Sequence, residues 1–149
     1  MSDDSALDPE DSEPDEALVT WDQIREWIVD EELEISAEDD DSVSVVLRWG
    51  HDGRSQTVKL TRAIFVDVPW ITLSSFVGKP ELLSATEALM QNATSLACLA
   101  QSEEDELLYL MLRIPLAGLT VSFLDAVLWD LGAEADLLES EISGGLDVY

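Results

Sequence analysis

Residues 43–61, VSVVLRWGHDGRSQTVKLT, decide the fold of this chain. Apolar side chains recur at every second position over residues 43–49, which is the period of a half-buried strand. Residues 51–53, His-Asp-Gly, supply a tight turn, with a glycine for the positive φ that such a turn needs. Residues 56–61 alternate again. The stretch therefore predicts an antiparallel β-hairpin.

The segments that follow this hairpin predict three more strands. Residues 63–73 are rich in β-prone side chains, but Pro69 has no N–H to donate to a ladder. The third strand is therefore expected to be an edge strand, bulged or broken at Pro69. Residues 96–99 and 107–114 predict a second hairpin. In it Cys98, the only cysteine, is expected to be a buried structural thiol, because a reactive thiolate needs cationic neighbours.

Three segments with apolar residues at steps of three and four predict helices. The first begins at Thr20, which has capping-box spacing to Gln23, and runs to about Leu33. The third follows Thr120. The inner face of the second, which follows Pro80, is expected to consist of Leu82, Leu83, Thr86, Leu89 and Met90. The resulting order, α-β-β-β-α-β-β-α, predicts an α+β fold in which an antiparallel five-stranded sheet packs against helices.

The charge of the chain restricts its partners. It has 33 Asp+Glu against 7 Lys+Arg, a formal net charge of −26. Phosphate binding requires clustered Lys and Arg, so nucleic acid is not an expected partner, and neither is an anionic membrane surface. The same acidity is typical of proteins that work in concentrated salt, where ions screen self-repulsion. A salt-adapted acidic protein of unknown role is therefore an alternative interpretation.

The sequence divides into a tail, one domain and a short end. Residues 1–16 contain eight acids, no base and no aromatic residue, so they are predicted to form a disordered acidic tail. Residues 17–142 are predicted to form a single α+β domain, and residues 143–149 a frayed C-terminal end. The N-terminus has neither the basic start nor the apolar run of a secretory signal, which favours a cytoplasmic protein.

Sequence motifs that would indicate catalysis or metal binding are missing. There is no Gly-rich phosphate loop, no H-E-x-x-H, no C-x-x-C and no calcium-loop spacing. His51, the only histidine, falls in a convex turn, where a general base would not be oriented. We therefore expect no catalytic residue, no cofactor and no metal site. An enzyme whose carboxylate pair comes from distant segments is the least favoured alternative.

Five tryptophans in 149 residues offer large apolar surfaces. Core packing is the ordinary interpretation of each of them. Trp27 lies at the margin of its helix stripe, however, and Trp70 lies on the suspected edge strand. Both are therefore candidate partner-binding residues that could line an exposed apolar patch.

The chain resembles the YbjN-like family of small bacterial proteins. The matching segments are Glu81-Leu82-Leu83, the helix end at residues 88–92, and residues 112–120 and 133–136, with residues 21–28 and 43–49 as the opening. The resemblance implies the type III secretion chaperone-like fold. The namesake chaperones are acidic homodimers that hold a partly unfolded client, and YbjN-like members are described as sensory transduction regulators. No enzymatic site belongs to the family, so no catalytic residue is implied.

These observations together predict a non-enzymatic protein-binding module, a chaperone-like or regulatory adaptor for a polypeptide partner. The resemblance implies a homodimer, and its symmetric interface is expected to use the second helix. An exposed edge strand could accept a strand of the client by β-augmentation. The acidic surface would keep the protein soluble and attract basic clients.

Overall fold

The computed structural model describes residues 17–18, 20–50 and 53–142. The predicted acidic tail, the turn residues 51–52 and the predicted frayed end lie outside these residues. The elements in chain order are α1 (Trp21–Asp30), β1 (Glu34–Glu38), β2 (Ser42–Trp49), β3 (Arg54–Phe65), β4 (Val68–Gly78), a 3-10 turn (Pro80–Leu82), α2 (Ala85–Thr94), β5 (Cys98–Gln101), β6 (Leu108–Pro115) and α3 (Val121–Ile142).

The strands form one antiparallel sheet in the order β1-β2-β3-β4-β6-β5. This confirms the predicted α+β class and the antiparallel sheet. The predicted number of five strands is wrong, because the described residues contain six. The additional strand is β1, which follows α1 directly. Glu32 has a φ of +56° and turns the chain at the end of α1, so Leu33 does not continue the helix.

The prediction that Pro69 breaks an edge strand is also wrong. β3 and β4 form a long hairpin whose loop is only Val66-Asp67, and β4 lies between β3 and β6. Antiparallel pairs alternate between hydrogen-bonded and non-bonded positions. Pro69 pairs with Ile64, one position beyond the loop, at a non-bonded position relative to β3. Its missing N–H therefore costs no ladder bond to β3, and its carbonyl still accepts from the Leu116 N–H at 3.1 Å.

The core lies on one face of the sheet, where α1 and α3 cover it. Alternate residues of β2, β3, β4 and β6 are buried together with apolar residues of both helices, in one cluster. α3 runs unbroken through Gly132, which is buried against β2. A Cβ at this position would lie 2.8 Å from Leu47 Cδ1, so the glycine permits the close approach of helix and sheet.

The inner face predicted for the second helix is wrong for Thr86, Leu89 and Met90, because no residue of α2 is buried. Leu82 and Leu83 precede the helix, and of the five predicted residues only Leu83 packs against the core. Leu89 is 69 % exposed and Met90 is 67 % exposed. The helix is attached through polar contacts: the Leu99 N–H donates to Asn92 Oδ1 at 2.6 Å, and Gln91 Nε2 donates to a Glu134 carboxylate oxygen at 2.8 Å. Apart from Ala88, which is half-buried against the core, the apolar side chains of α2 therefore remain outside it.

Cys98 is exposed, which corrects the prediction of a buried thiol. β5 pairs with β6 so that Ala97 and Leu99 face the core, while Cys98 lies on the other side of the sheet, opposite Met111. In residues 96–100, Leu-Ala-Cys-Leu-Ala, the side chains on both sides of the strand are apolar. The sequence period therefore left open which set would be buried.

Candidate protein-interaction surfaces

The two candidate tryptophans have different environments. Trp27 is 5 % exposed and belongs to the core, so the expected exposure of its ring is not found. Its Nε1 is buried and has no hydrogen-bond acceptor in the described part of the chain. Trp70 is half-buried, near the start of β4. Of the two, only Trp70 lies at the surface, and its role in partner binding stays a prediction.

Trp70 belongs to a cluster of apolar side chains around the loop between β3 and β4. Ile64 is 75 % exposed and Val66 is 85 % exposed. The Phe65 and Trp70 rings are in edge-to-face contact, with centroids 6.2 Å apart. We call this cluster the hairpin patch; its members are Ile64, Phe65, Val66, Val68 and Trp70. The sequence does not predict this patch, because residues 63–68 are β-prone; the available signal is the uninterrupted apolar run Ile64-Phe65-Val66.

The loop of the hairpin patch holds Val66 in a backbone conformation that is unusual for a valine. Val66 and Asp67 have φ values of +47° and +62°, as in a two-residue type I′ turn. Gly and Asn favour this left-handed region, and a β-branched residue there is a genuine outlier. Val66 gains little packing in return, because it is the most exposed apolar side chain of the patch. Such outliers cluster at functional sites, so the valine points to an interaction surface.

A groove of about 770 Å³ adjoins the hairpin patch. Residues at the start of α1 form one wall, and Ile64, Trp70 and Leu116 line the other side. The buried Trp70 Nε1 has no acceptor among the described residues. Arg62 also lines the groove and pairs with Asp41. On the other face of the sheet, the Arg113 guanidinium lies 5.0 Å from the centre of the Phe65 ring. The groove thus combines apolar walls with one ion pair, Arg62–Asp41, both members of which line it.

A second apolar surface lies on α2 and on the 3-10 turn before it. Its members, which we call the α2 patch, are Leu82, Leu89 and Met90, each at least half exposed. A cavity of about 490 Å³ opens between this helix and the end of α3, where Leu138 and Ile142 contribute to its lining. β4 leads from the hairpin patch toward the α2 patch, and its eleven residues span roughly 33 Å at the usual rise of a strand. The two patches are therefore separate surfaces.

The edge strands of the sheet are not the third predicted strand, which was expected to be one. Since β4 is internal, the edges of the described sheet are β1 and β5. β1 carries Glu34 and Glu38 and has an irregular register between Ile35 and Ala37. Charge and a bulge both discourage pairing with another strand. β-augmentation at the predicted third strand is thus unavailable in this fold.

The Asp39 and Asp105 carboxylates accept hydrogen bonds from backbone N–H groups in the turns where they lie. Hydrogen bonds from the Asp41 N–H and then the Ser42 hydroxyl lower the pKa of Asp39. Burial, followed by the hydrogen bond to Asp105, raises the pKa of Tyr109 to about 12. Within the described ranges, no group of three or more His, Cys, Asp and Glu side chains could hold a metal ion.

In the part of the chain that the structure describes, no helix has the length and apolar character required to cross a bilayer.

The fold identifies the structural class of the protein. The chain is similar to a chain in the crystal structure of the ExsC-ExsE complex, with a TM-score of 0.51 and 17 % sequence identity over 76 % of this chain and 86 % of that chain. The fold is therefore the expected type III secretion chaperone-like α+β fold. No family model and no curated protein matches the sequence, so the resemblance to the YbjN-like family stays a prediction.

Proposed function

We propose that this protein is a non-enzymatic, homodimeric binding module that holds a polypeptide partner, as a chaperone-like or regulatory adaptor of the cytoplasm. The observation that supports it best is the apolar surface that the fold leaves outside its core, on two separate patches. Large exposed apolar patches mark protein interaction sites. The fold neighbour is a protein in complex with a protein, which agrees with this proposal. Membership of the YbjN-like family is a further part of it.

The α2 patch is the proposed dimer interface. A helix without a single buried residue gains little from the tertiary structure, and short isolated helices are marginal in water. A second copy placed across a two-fold axis would cover both α2 patches at once. The adjoining cavity would then receive side chains of the partner subunit. The dimer thus supplies the packing that the monomer lacks at α2.

Leu89→Ala tests the interface. The substitution removes three carbons worth about 0.8 kcal/mol each when buried. Because Leu89 is 69 % exposed, up to about 1.7 kcal/mol per subunit is lost on association. Two copies give up to about 3 kcal/mol, so the dimer Kd should rise by as much as about a hundredfold in sedimentation equilibrium. Alanine favours helix, so the monomer should stay folded.

Ile64→Ala is the matched control for this measurement. Ile64 is 75 % exposed but lies on the hairpin patch, so its truncation should leave the dimer Kd unchanged. A monomeric mass near 16.4 kDa for the unmodified protein at micromolar concentration would disprove the dimer. A Kd that responds to Ile64→Ala and not to Leu89→Ala would move the interface to the hairpin patch.

The hairpin patch is the proposed surface for the polypeptide partner. It offers aromatic rings and a groove lined by Trp70, and aromatic residues dominate the binding energy of protein interfaces. The strongly acidic body around it would attract a partner with basic residues and accelerate association at low salt. An apolar segment flanked by Lys or Arg is therefore the expected form of the client.

Capture of polypeptides from native lysate by the full chain tests this surface. Trp70→Ala should abolish or strongly reduce the capture of a specific polypeptide. Trp129→Ala is the control, because Trp129 is a similarly half-exposed tryptophan on α3 that packs against Trp49. The hairpin patch is not the client surface if both variants retain the same captured polypeptides, or if both lose them equally.

A further inference from the structure

β5 is an edge strand of the described sheet that lacks the features by which edges avoid pairing. Unlike β1, it contains no charged side chain, and its register with β6 is regular over Cys98–Gln101. It also contains no proline. Charges, prolines and bulges are what usually keeps an edge strand from pairing with another chain. The backbone of β5 is therefore suited to accept a further strand.

Asn92 of α2 occupies the place that such a strand would take. Every second residue of an antiparallel edge strand directs its N–H and its carbonyl away from the neighbouring strand. In β5 this residue is Leu99, whose N–H donates to Asn92 Oδ1 at 2.6 Å and whose carbonyl accepts from Asn92 Nδ2 at 3.4 Å. A carboxamide has the donor and the acceptor of a peptide group, so Asn92 binds Leu99 as a neighbouring strand would.

α2 packs more weakly on the body than the other two described helices. α1 buries four residues, whereas of the ten residues of α2 only Ala88 packs against the core, and it is half-buried. Besides Asn92, Gln91 attaches the helix through its hydrogen bond to Glu134. A helix with so little buried surface separates from the body at a small cost in free energy, without global unfolding. Its separation would leave the outward N–H and carbonyl of Leu99 without partners at the sheet edge.

Charge defines the kind of strand that fits this edge. β5 leads into residues 103–106, Glu-Glu-Asp-Glu, all of which are exposed. None of these carboxylates forms a salt bridge with a basic residue of the described ranges. Lys or Arg at one end of an incoming strand would pair with them, while the apolar side chains of residues 98–100 would adjoin its centre. A second copy of this chain is a less suitable occupant, because two chains of net charge −26 repel each other.

We propose that β5 is a strand-pairing site for an extended polypeptide segment, apolar at its centre and basic at one end, and that Asn92 keeps this site closed until α2 moves aside. Occupation of the site exchanges the two hydrogen bonds of the Asn92 carboxamide for a ladder of backbone hydrogen bonds. The contact between Asn92 and Leu99 lies within one chain, so the site depends neither on the proposed dimer nor on the hairpin patch. α2 thus regulates access to the sheet edge.

Hydrogen exchange of the Leu99 amide, followed by NMR in the full chain, tests the closure. Asn92→Ala should accelerate this exchange at least about threefold, because the amide loses its acceptor. Alanine is a better helix former than asparagine, so faster exchange would not result from a weaker α2 helix. Thr86→Ala, at an exposed position of the same helix, is the control and should not accelerate the exchange. Equal rates in all three proteins would overturn the closure.

A synthetic peptide in which Val and Thr alternate between Lys residues at its ends tests the site itself. It should bind Asn92→Ala about three- to tenfold more tightly than the unmodified chain, because the closed state no longer lowers the apparent affinity as strongly. The bound peptide should slow the exchange of the Leu99 amide. The same peptide with a central proline, which has no N–H, should not.

Two results of this titration would refute the site. One is an equal affinity of the peptide for both chains, and the other is protection of amides in β1 in place of Leu99. Protection of Leu99 in Asn92→Ala without the peptide would indicate pairing with a second copy and would also contradict the proposal.

Discussion

Val66→Asn should make this protein more stable, although it alters the most exposed apolar side chain of the hairpin patch. A left-handed backbone costs an L-residue about 1–2 kcal/mol, and asparagine tolerates it better than other residues except glycine. Val66 has a φ of +47° and is 85 % exposed, so little packing is lost with its side chain. We expect a gain of about 1 kcal/mol in the free energy of unfolding. For a body of this size that corresponds to a rise in Tm of about 3–5 °C.

Urea denaturation at fixed protein concentration measures this gain as a shift of the midpoint with an unchanged m-value. Ile64→Asn is the control, because Ile64 is also exposed and β-branched but has a negative φ in β3. Asparagine is a poor strand residue, so this variant should lose up to about 1 kcal/mol. A midpoint for Val66→Asn at or below that of the unmodified protein would refute the strain argument. If the hairpin patch binds the client, the more stable Val66→Asn chain should also capture less of it.

Gly132→Ala should destabilise the fold, since a Cβ would lie 2.8 Å from Leu47 Cδ1 and overpacking of about 1–3 kcal/mol exceeds the helix propensity gained. Combined with Leu47→Ala in a double-mutant cycle, it should show a coupling energy of about 1 kcal/mol or more; additive values would contradict the contact. Trp27→Ala should lower the free energy of unfolding by about 3–5 kcal/mol. Trp27→Phe should lower it much less, because phenylalanine keeps most of the ring and removes an N–H that has no acceptor among the described residues. Equal losses for the two variants in urea denaturation would contradict this. Tyr109 should ionise near pH 12 in an ultraviolet titration, a transition that Tyr109→Phe removes. Its folded pKa is raised, so its contribution to stability is complete below pH 10 and is lost between pH 10 and 12. Molar salt should raise the Tm if self-repulsion at a net charge of −26 limits stability, whereas a flat response would count against salt adaptation.

Local signals in the sequence predicted the parts of the fold that depend on local chemistry. The hairpin of β2 and β3 follows from strict alternation, and the capping box of Thr20 and Gln23 is present at the start of α1. Thr120 likewise accepts from the Phe123 N–H at the start of α3. In each case a side chain either forms a hydrogen bond with a nearby backbone N–H or lies on the side of the strand that the alternation predicts. Such features do not depend on the remainder of the chain.

The errors occur where the tertiary structure decides between local alternatives. The turn at Val66-Asp67 contains no glycine or asparagine, and Asp67 alone is a weak turn signal, so the sequence does not separate β3 from β4. The sequence therefore predicts that Pro69 interrupts the strand. In the structure Pro69 occupies a position of β4 where no N–H is needed for a hydrogen bond to β3. In β5, two apolar sets alternate, and only the pairing with β6 determines that Ala97 and Leu99 face inward.

The sequence predicts only part of the candidate site, because the tertiary structure also determines which of the two tryptophans lies at the surface. Trp70 was singled out from a supposed edge strand, yet it lies at the surface because β4 begins there, next to the loop. Trp27 was singled out from its place beside the α1 stripe, but its ring reaches the core. The apolar residues of α2 have helical spacing whether they face the core or a second subunit. Periodicity identifies an apolar face but not what covers it.

The two patches share a property that distinguishes them from the rest of the structure: each departs from a rule that the same chain obeys elsewhere. Val66 is a β-branched residue at a positive φ, whereas the other positions with positive φ in the described chain hold Gly, Glu or Asp. α2 has no buried residue, although α1 and α3 bury a full apolar face. A sequence under selection for stability alone would correct both departures at little cost. Departures of this kind concentrate where a protein meets its partners, and this is the physical reason to look for the dimer at α2 and for the client at the hairpin patch.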